Sequence, residues 1–100
     1  MLSSNDKKTL KSIANTLENK YQLGKNGITD TSVDMFDKAL TANELIKIDV
    51  MKSVTTEIME LALDLSSKLN ADVVQVVGRV IVLYRKNKDK PRIKLVKWIS

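Results

Sequence analysis

The chain has 100 residues, no cysteine, no histidine, and 17 Lys+Arg against 12 Asp+Glu, for a net charge of +5 and a pI near 9.5. That length suits one domain, able to bury roughly two-thirds of its unfolded surface in one core. The missing cysteines exclude a disulfide framework, a zinc-thiolate site and a thiol nucleophile, and the missing histidines remove the usual neutral-pH proton shuttle. From Arg85 to Trp98 there are seven basic residues and one acid, whereas residues 1–84 carry ten basic and eleven acidic groups. The positive excess is therefore a C-terminal strip on a balanced domain. It suits a polyanion, nucleic acid or an acidic membrane surface, or serves simply as a solubilising tail.

In chain order, the first periodic segment runs from about Ser4 to Glu18, with Leu10, Ile13, Ala14 and Leu17 on one helical face. Ser3 or Ser4 can cap it, and Asp6 suits the positive end of the helix dipole. Lys7, Lys8 and Lys11 share a neighbouring stripe, which is either a solvated face or an anion-facing patch. Tyr21 to Leu23 reads as a short strand, followed by the loop Gly24-Lys25-Asn26-Gly27. Thr29 and Asp30 then cap a second helix that buries Val33, Phe36, Ala39 and Leu40 and ends at Asn43. Leu45–Met51 alternates as a strand. A third helix is predicted over Val54 to Leu69, with Met59 and Leu63 widening its apolar stripe and Asn70 stopping it. Val73–Val77 and Val80–Tyr84 read as strands joined by a type II′ turn at Gly78-Arg79. Alternation resumes at Ile93 and Leu95, past Pro91, as an edge strand or a loose surface segment.

The order is thus α-β-α-β-α-β-β. Strands alternating with helices argue for parallel neighbours, and the terminal hairpin makes the sheet mixed. No apolar run approaches the ~20 residues needed to span a bilayer, and no signal segment is evident, so the expected location is cytoplasmic.

The Gly-x-x-Gly loop is the most suggestive local feature. Glycines let a ligand approach the backbone, the following helix start offers N–H groups to an anion, and Lys25 adds a mobile charge. A plain tight turn is the competing reading. A dinucleotide fingerprint needs a third glycine and a P-loop needs Gly-Lys-Ser/Thr, but here Gly27 is followed by Ile28 and Thr29. Asp30, Asp34 and Asp37 share a helix face, as do Glu57, Glu60 and Asp64; both sets read as surface acids, with no catalytic or metal site. Among the aromatics Phe36 reads as core. Tyr84 is the best candidate for base stacking, with a half-buried strand tyrosine as the plainer alternative.

Four stretches in register, the lysine-bearing first helix through Ala14 and Leu17, LGKNGIT, ELIKI and VQVVGRVIVLYR, resemble the bacterial YhbY family. This is the stand-alone CRM (chloroplast RNA splicing and ribosome maturation) domain. The resemblance covers roughly residues 2–95. It implies a two-layer α+β fold with a four-stranded mixed sheet, like the C-terminal domain of translation initiation factor three. The expected domain is 1–95, with 96–100 as a short extension.

By position the resemblance makes Gly24, Lys25, Asn26 and Gly27 the family loop, Lys7, Lys8 and Lys11 its basic first helix, and Arg85 and Lys86 the basic end of its last main strand. It implies a monomeric, non-enzymatic, cofactor-free RNA-binding protein that associates with ribosomal RNA or large-subunit precursors, with ribosomal proteins as a further class of partner. The alternative is an interaction module that docks on a ribosomal protein or another acidic partner without touching RNA. One departure is Ala14-Asn15-Thr16-Leu17, where the family often has Ala-His-x-Leu and a nearby proline; the approach into the first strand is expected to differ.

Overall fold

The computed structural model describes residues 3–17 and 20–87. In order, the elements are α1 (Ser4–Thr16), β1 (Lys20–Leu23), α2 (Asp30–Asn43), β2 (Leu45–Val50), α3 (Ile58–Leu69), β3 (Asp72–Val77) and β4 (Val80–Tyr84). The sheet runs β1-β2-β4-β3, parallel between β1 and β2 and antiparallel elsewhere, so it is mixed as expected. The alternation expected around Ile93 and Leu95 lies outside the described residues, as do most cations of the C-terminal strip.

Local signals account for most boundaries. Ser3 caps α1 through a reciprocal box with Asp6, and Thr29 caps α2 through one with Ser32. Asn70 ends α3 in the left-handed conformation. Gly78 has φ +57° while Arg79 does not share its positive φ, which fits the type II′ turn.

Alternation in β2 divides the apolar residues between two faces. Ile46, Ile48 and Val50 point to a core shared with Phe36, Leu40, Leu61, Leu65, Ile81 and Leu83, and α2 and α3 cover this side. Leu45 points the other way, where Leu10 and Ala14 of α1 meet Val74, Val82 and Tyr84. The expected two layers are thus the sheet and the α2/α3 pair, and α1 adds a helix on the opposite face. A register shift between Val73 and Gln75 lets β3 turn Val74 inward towards α1. Each large side chain fully buried in this way contributes about 1.5–3 kcal/mol.

Two features depart from the sequence reading, and a third lies at a residue on which it was silent. Helix α3 begins at Ile58 rather than Val54, because the guanidinium of Arg79 donates to the carbonyls of Val50 (3.0 Å), Met51 (2.6 Å) and Val54 (3.1 Å). These bonds hold the connection in a non-helical path, although Val54 itself is buried. Met59 and Leu63 do not widen the buried stripe: each lies two residues from Leu61, about 200° round the helix, and they are 46% and 58% exposed. Finally, Glu44 ends α2 at φ +66° and is fully buried. Its carboxylate accepts the Asn87 N–H at 2.6 Å and its carbonyl accepts the Arg85 N–H at 2.8 Å, so it fastens the chain leaving β4. Such a backbone conformation costs roughly 1–3 kcal/mol and persists because the surrounding bonds over-determine it.

Tyr84 is buried, which settles its role in favour of packing. Burial first, then the negative charges of Glu44, Asp6 and Asp72, push its phenol above the ordinary tyrosine value. The unfolded chain therefore loses this proton near pH 10 while the folded chain keeps it, so the contribution is complete below pH 10 and lost as pH rises through the folded value. Alkaline titration of unfolding free energy should fall more steeply for the wild type than for Tyr84→Phe above about pH 10. Parallel curves would show that the phenol is not differentially held.

Candidate nucleic-acid interface

The Gly-x-x-Gly segment forms a tight turn between β1 and α2, closed by a Gly27 N–H to Gly24 carbonyl bond of 2.9 Å. Lys25 and Asn26 occupy its two central positions and are exposed. The two glycines differ in kind. Gly27 has φ +70°, a conformation that strains any other residue, so the fold itself requires it. Gly24 has no such φ, and a Cβ there would meet only Met51 Sδ at an ordinary 3.7 Å. The fold does not demand a glycine at 24. Its backbone is half-buried and carries no side chain that would keep a ligand away.

This turn stands at one end of the sheet beside two other connections. Met51 N–H donates to the Leu23 carbonyl (3.0 Å) and Val50 N–H to the Arg79 carbonyl (2.8 Å), which draws the β2–α3 connection and the Gly78-Arg79 hairpin alongside. Exposed Lys52 follows Met51 and adds a cation to this end; as an isolated loop lysine it carried no pattern by which sequence reasoning could find it. The start of α2 is less free than its position suggests. Thr29 Oγ1 accepts the Ser32 N–H and Ser32 Oγ accepts the Thr29 N–H, while the Asp30 carboxylate in the first turn opposes an incoming anion. The exposed Lys25 ammonium, by contrast, stands in the turn itself, outside that first helical turn.

The other candidate cations lie elsewhere. Lys7, Lys8 and Lys11 are exposed on α1, on the sheet face opposite α2 and α3. The start of α1 lies towards the Tyr84 end, where Asp6 acts on that phenol, and the Leu17 carbonyl just beyond its last turn accepts Lys47 Nζ at 3.3 Å. Lys86 is exposed just past β4, at the Tyr84 end. The six residues of β2 separate the two ends of the sheet by about 20 Å.

Arg85 is committed inside the protein. Its Nη1 donates to Asp37 Oδ1 (2.7 Å) and the Leu69 carbonyl (2.9 Å), and its Nη2 to the Asp37 carbonyl (2.9 Å) and Thr41 Oγ1 (2.9 Å). The surface-acid reading of the helices thus needs one refinement: Asp37 anchors Arg85, while Asp34 pairs with Lys38 (3.2 Å) and Asp64 with Lys68 (3.8 Å). Among the described aromatics Phe36 and Tyr84 are buried, and the half-buried Tyr21 is set edge-on to Phe36 at 6.4 Å. They form no stacking platform.

No described helix is long and apolar enough to cross a membrane. Among the described residues no group of three or more His, Cys, Asp or Glu could hold a metal ion.

A family model described as the CRS1 / YhbY (CRM) domain matches residues 2–85. A Bacillus subtilis protein named "Probable RNA-binding protein YqeI" is 34% identical over 95 residues, which span 95% of this chain and 99% of the relative. A Haemophilus influenzae protein named "RNA-binding protein" is 33% identical over 89 residues, covering 88% of this chain and 89% of the relative. The solution structure of the hypothetical protein SAV1595 from Staphylococcus aureus superposes with a TM-score of 0.80 at 35% identity, over 96% of this chain and 100% of that one.

Proposed function

The chain belongs to the CRS1/YhbY (CRM) domain family, and on that premise we propose that it is a non-enzymatic RNA-binding protein. Its RNA is ribosomal, in the large subunit or its precursors, and its work is to assist assembly in the cytoplasm. The turn Gly24-Lys25-Asn26-Gly27 grips a phosphate: Lys25 supplies the charge, and bare Gly24 lets the phosphate reach the backbone. Lys7, Lys8 and Lys11, with Lys86, hold further phosphates by charge alone. Arg85 stands outside this set because its guanidinium is occupied. The observation that carries the reading is the asymmetry of the glycines, one required by backbone conformation and the other left bare with no demand from the fold.

Binding of structured ribosomal RNA by Lys25→Ala and Gly24→Val tests it. Lys25→Ala should lower affinity several-fold on every sequence and reduce the salt slope by about 0.7–0.9. Gly24→Val should weaken binding at least as much while the thermal midpoint stays within a few degrees. Unchanged affinity in both folded variants would leave the loop an ordinary turn. In-cell crosslinking should place the contacts on large-subunit RNA; contacts confined to other RNAs would refute the ribosomal assignment.

A further inference from the structure

Beside the turn, between it and α3, lies an open groove of about 550 Å³. Asn26 and Gly27 of the turn form one wall, Ile28 and Leu61 supply apolar surface, and Glu60 and Asp64 stand on the other wall. We propose that this groove takes one unpaired guanine base of the RNA whose phosphate the turn holds, and so gives the protein a base preference. The inference rests on the RNA-binding reading and extends it from affinity to specificity.

Three observations lead there. The groove shares Asn26 and Gly27 with the turn, so a nucleotide whose phosphate sits at Lys25 has its base within reach of it. The two carboxylates repel phosphate, which keeps the backbone on the Lys25 side and turns the base inward. The half-buried Ile28, with the core residue Leu61 beneath it, offers a ring somewhere to lie, in a protein whose described aromatics are buried in its core or packed against it.

The identity of the base follows from donor and acceptor chemistry. An ionised carboxylate only accepts hydrogen bonds. Guanine presents N1–H and the N2 amino group side by side, matching the two oxygens of one carboxylate. Adenine and cytosine each set their amino group beside an acceptor nitrogen, and uracil flanks its N3–H with two carbonyl oxygens; each leaves a repulsive pair against a carboxylate. Single-stranded bases are read on these edges. Of the two acids, Asp64 already faces Lys68 at 3.8 Å, whereas Glu60 has no ion pair among the described residues. Glu60 is therefore assigned as the reader and Asp64 as its support, one helical turn away.

The test uses the full chain and eight-residue oligouridylates carrying one central substitution. The guanosine oligomer should bind about tenfold more tightly than the all-uridine or adenosine ones, within the range of a good bidentate base contact, with inosine, which lacks the N2 amino group, in between. Glu60→Gln should bring guanosine and uridine oligomers to within about twofold of each other while all-uridine affinity stays level or rises. Equal binding of guanosine and uridine oligomers by the wild type, with affinity still dependent on Lys25, overturns the groove inference alone. A preference that survives Glu60→Gln also overturns it. Absence of binding to every oligomer and to structured ribosomal RNA overturns the RNA reading and this inference with it.

Discussion

Replacing Arg85 by methionine should lower the unfolding free energy by about 2–3 kcal/mol and leave the RNA affinity of the folded variant within about twofold of wild type. The side chain makes four hydrogen bonds to three partners on α2 and α3 and is only 22% exposed. Its ion pair with Asp37 is a small part of this, since the Asp37 side chain is 53% exposed and such pairs are worth about 1 kcal/mol or less. The larger part is the pair of charge-assisted bonds to the carbonyls of Asp37 and Leu69, which methionine cannot make. The Leu69 carbonyl belongs to the open end of α3 and would lose its charged donor. In a domain of this size the loss corresponds to a fall in thermal midpoint of about 10–20 °C. Asp37→Asn keeps an acceptor near the guanidinium and should cost well under half as much. A variant of unchanged stability whose salt slope drops by nearly a unit would restore Arg85 to the phosphate-binding set.

Arg85 also marks where sequence reasoning stops. Periodicity located the helices and strands because burial of one face is a local pattern: Leu61, Ala62, Leu65 and Leu69 are enough to orient α3. Caps were legible for the same reason, since Ser3 reaches only to Asp6 and Thr29 only to Ser32. Arg79 and Arg85 act across 16 to 48 residues of sequence. No spacing rule distinguishes such a guanidinium from a solvent-facing one. Glu44 was hidden in the same way, because a glutamate between an asparagine and a strand looks like an exposed turn residue until its carboxylate is seen on Asn87. The Gly-x-x-Gly motif was visible as a string, but the different reasons for its two glycines needed backbone angles and the position of Met51. Met59 and Leu63 show the opposite error: their apolarity implied burial, and only the position of the sheet revealed which arc of α3 is covered.

RNA affinity should fall by about fiftyfold or more between 50 and 200 mM salt, the largest functional effect expected of this protein. If Lys7, Lys8, Lys11 and Lys25 each neutralise one phosphate of a single strand, the slope of log K against log salt is about −3, and Lys86 steepens it. The geometry adds a requirement that charge counting lacks. The loop and the α1 lysines stand on different faces, and the sheet between its two ends spans about 20 Å, so one strand must wrap from end to face to meet both sets. Replacing Lys7, Lys8 and Lys11 together by alanine should therefore flatten the slope by about 2 on long RNA. The same variant should bind a tri- or tetranucleotide seated at the loop almost as the wild type does. Lys25→Ala should reverse this pattern, weakening short and long ligands alike. Were the triple variant to weaken both lengths equally, the two cation sets would act as one site, and the strand would follow a shorter path than one that wraps from end to face. A slope near zero for the wild type would remove phosphate contact as the source of affinity, because released counterions are the only term that salt of this concentration changes so steeply.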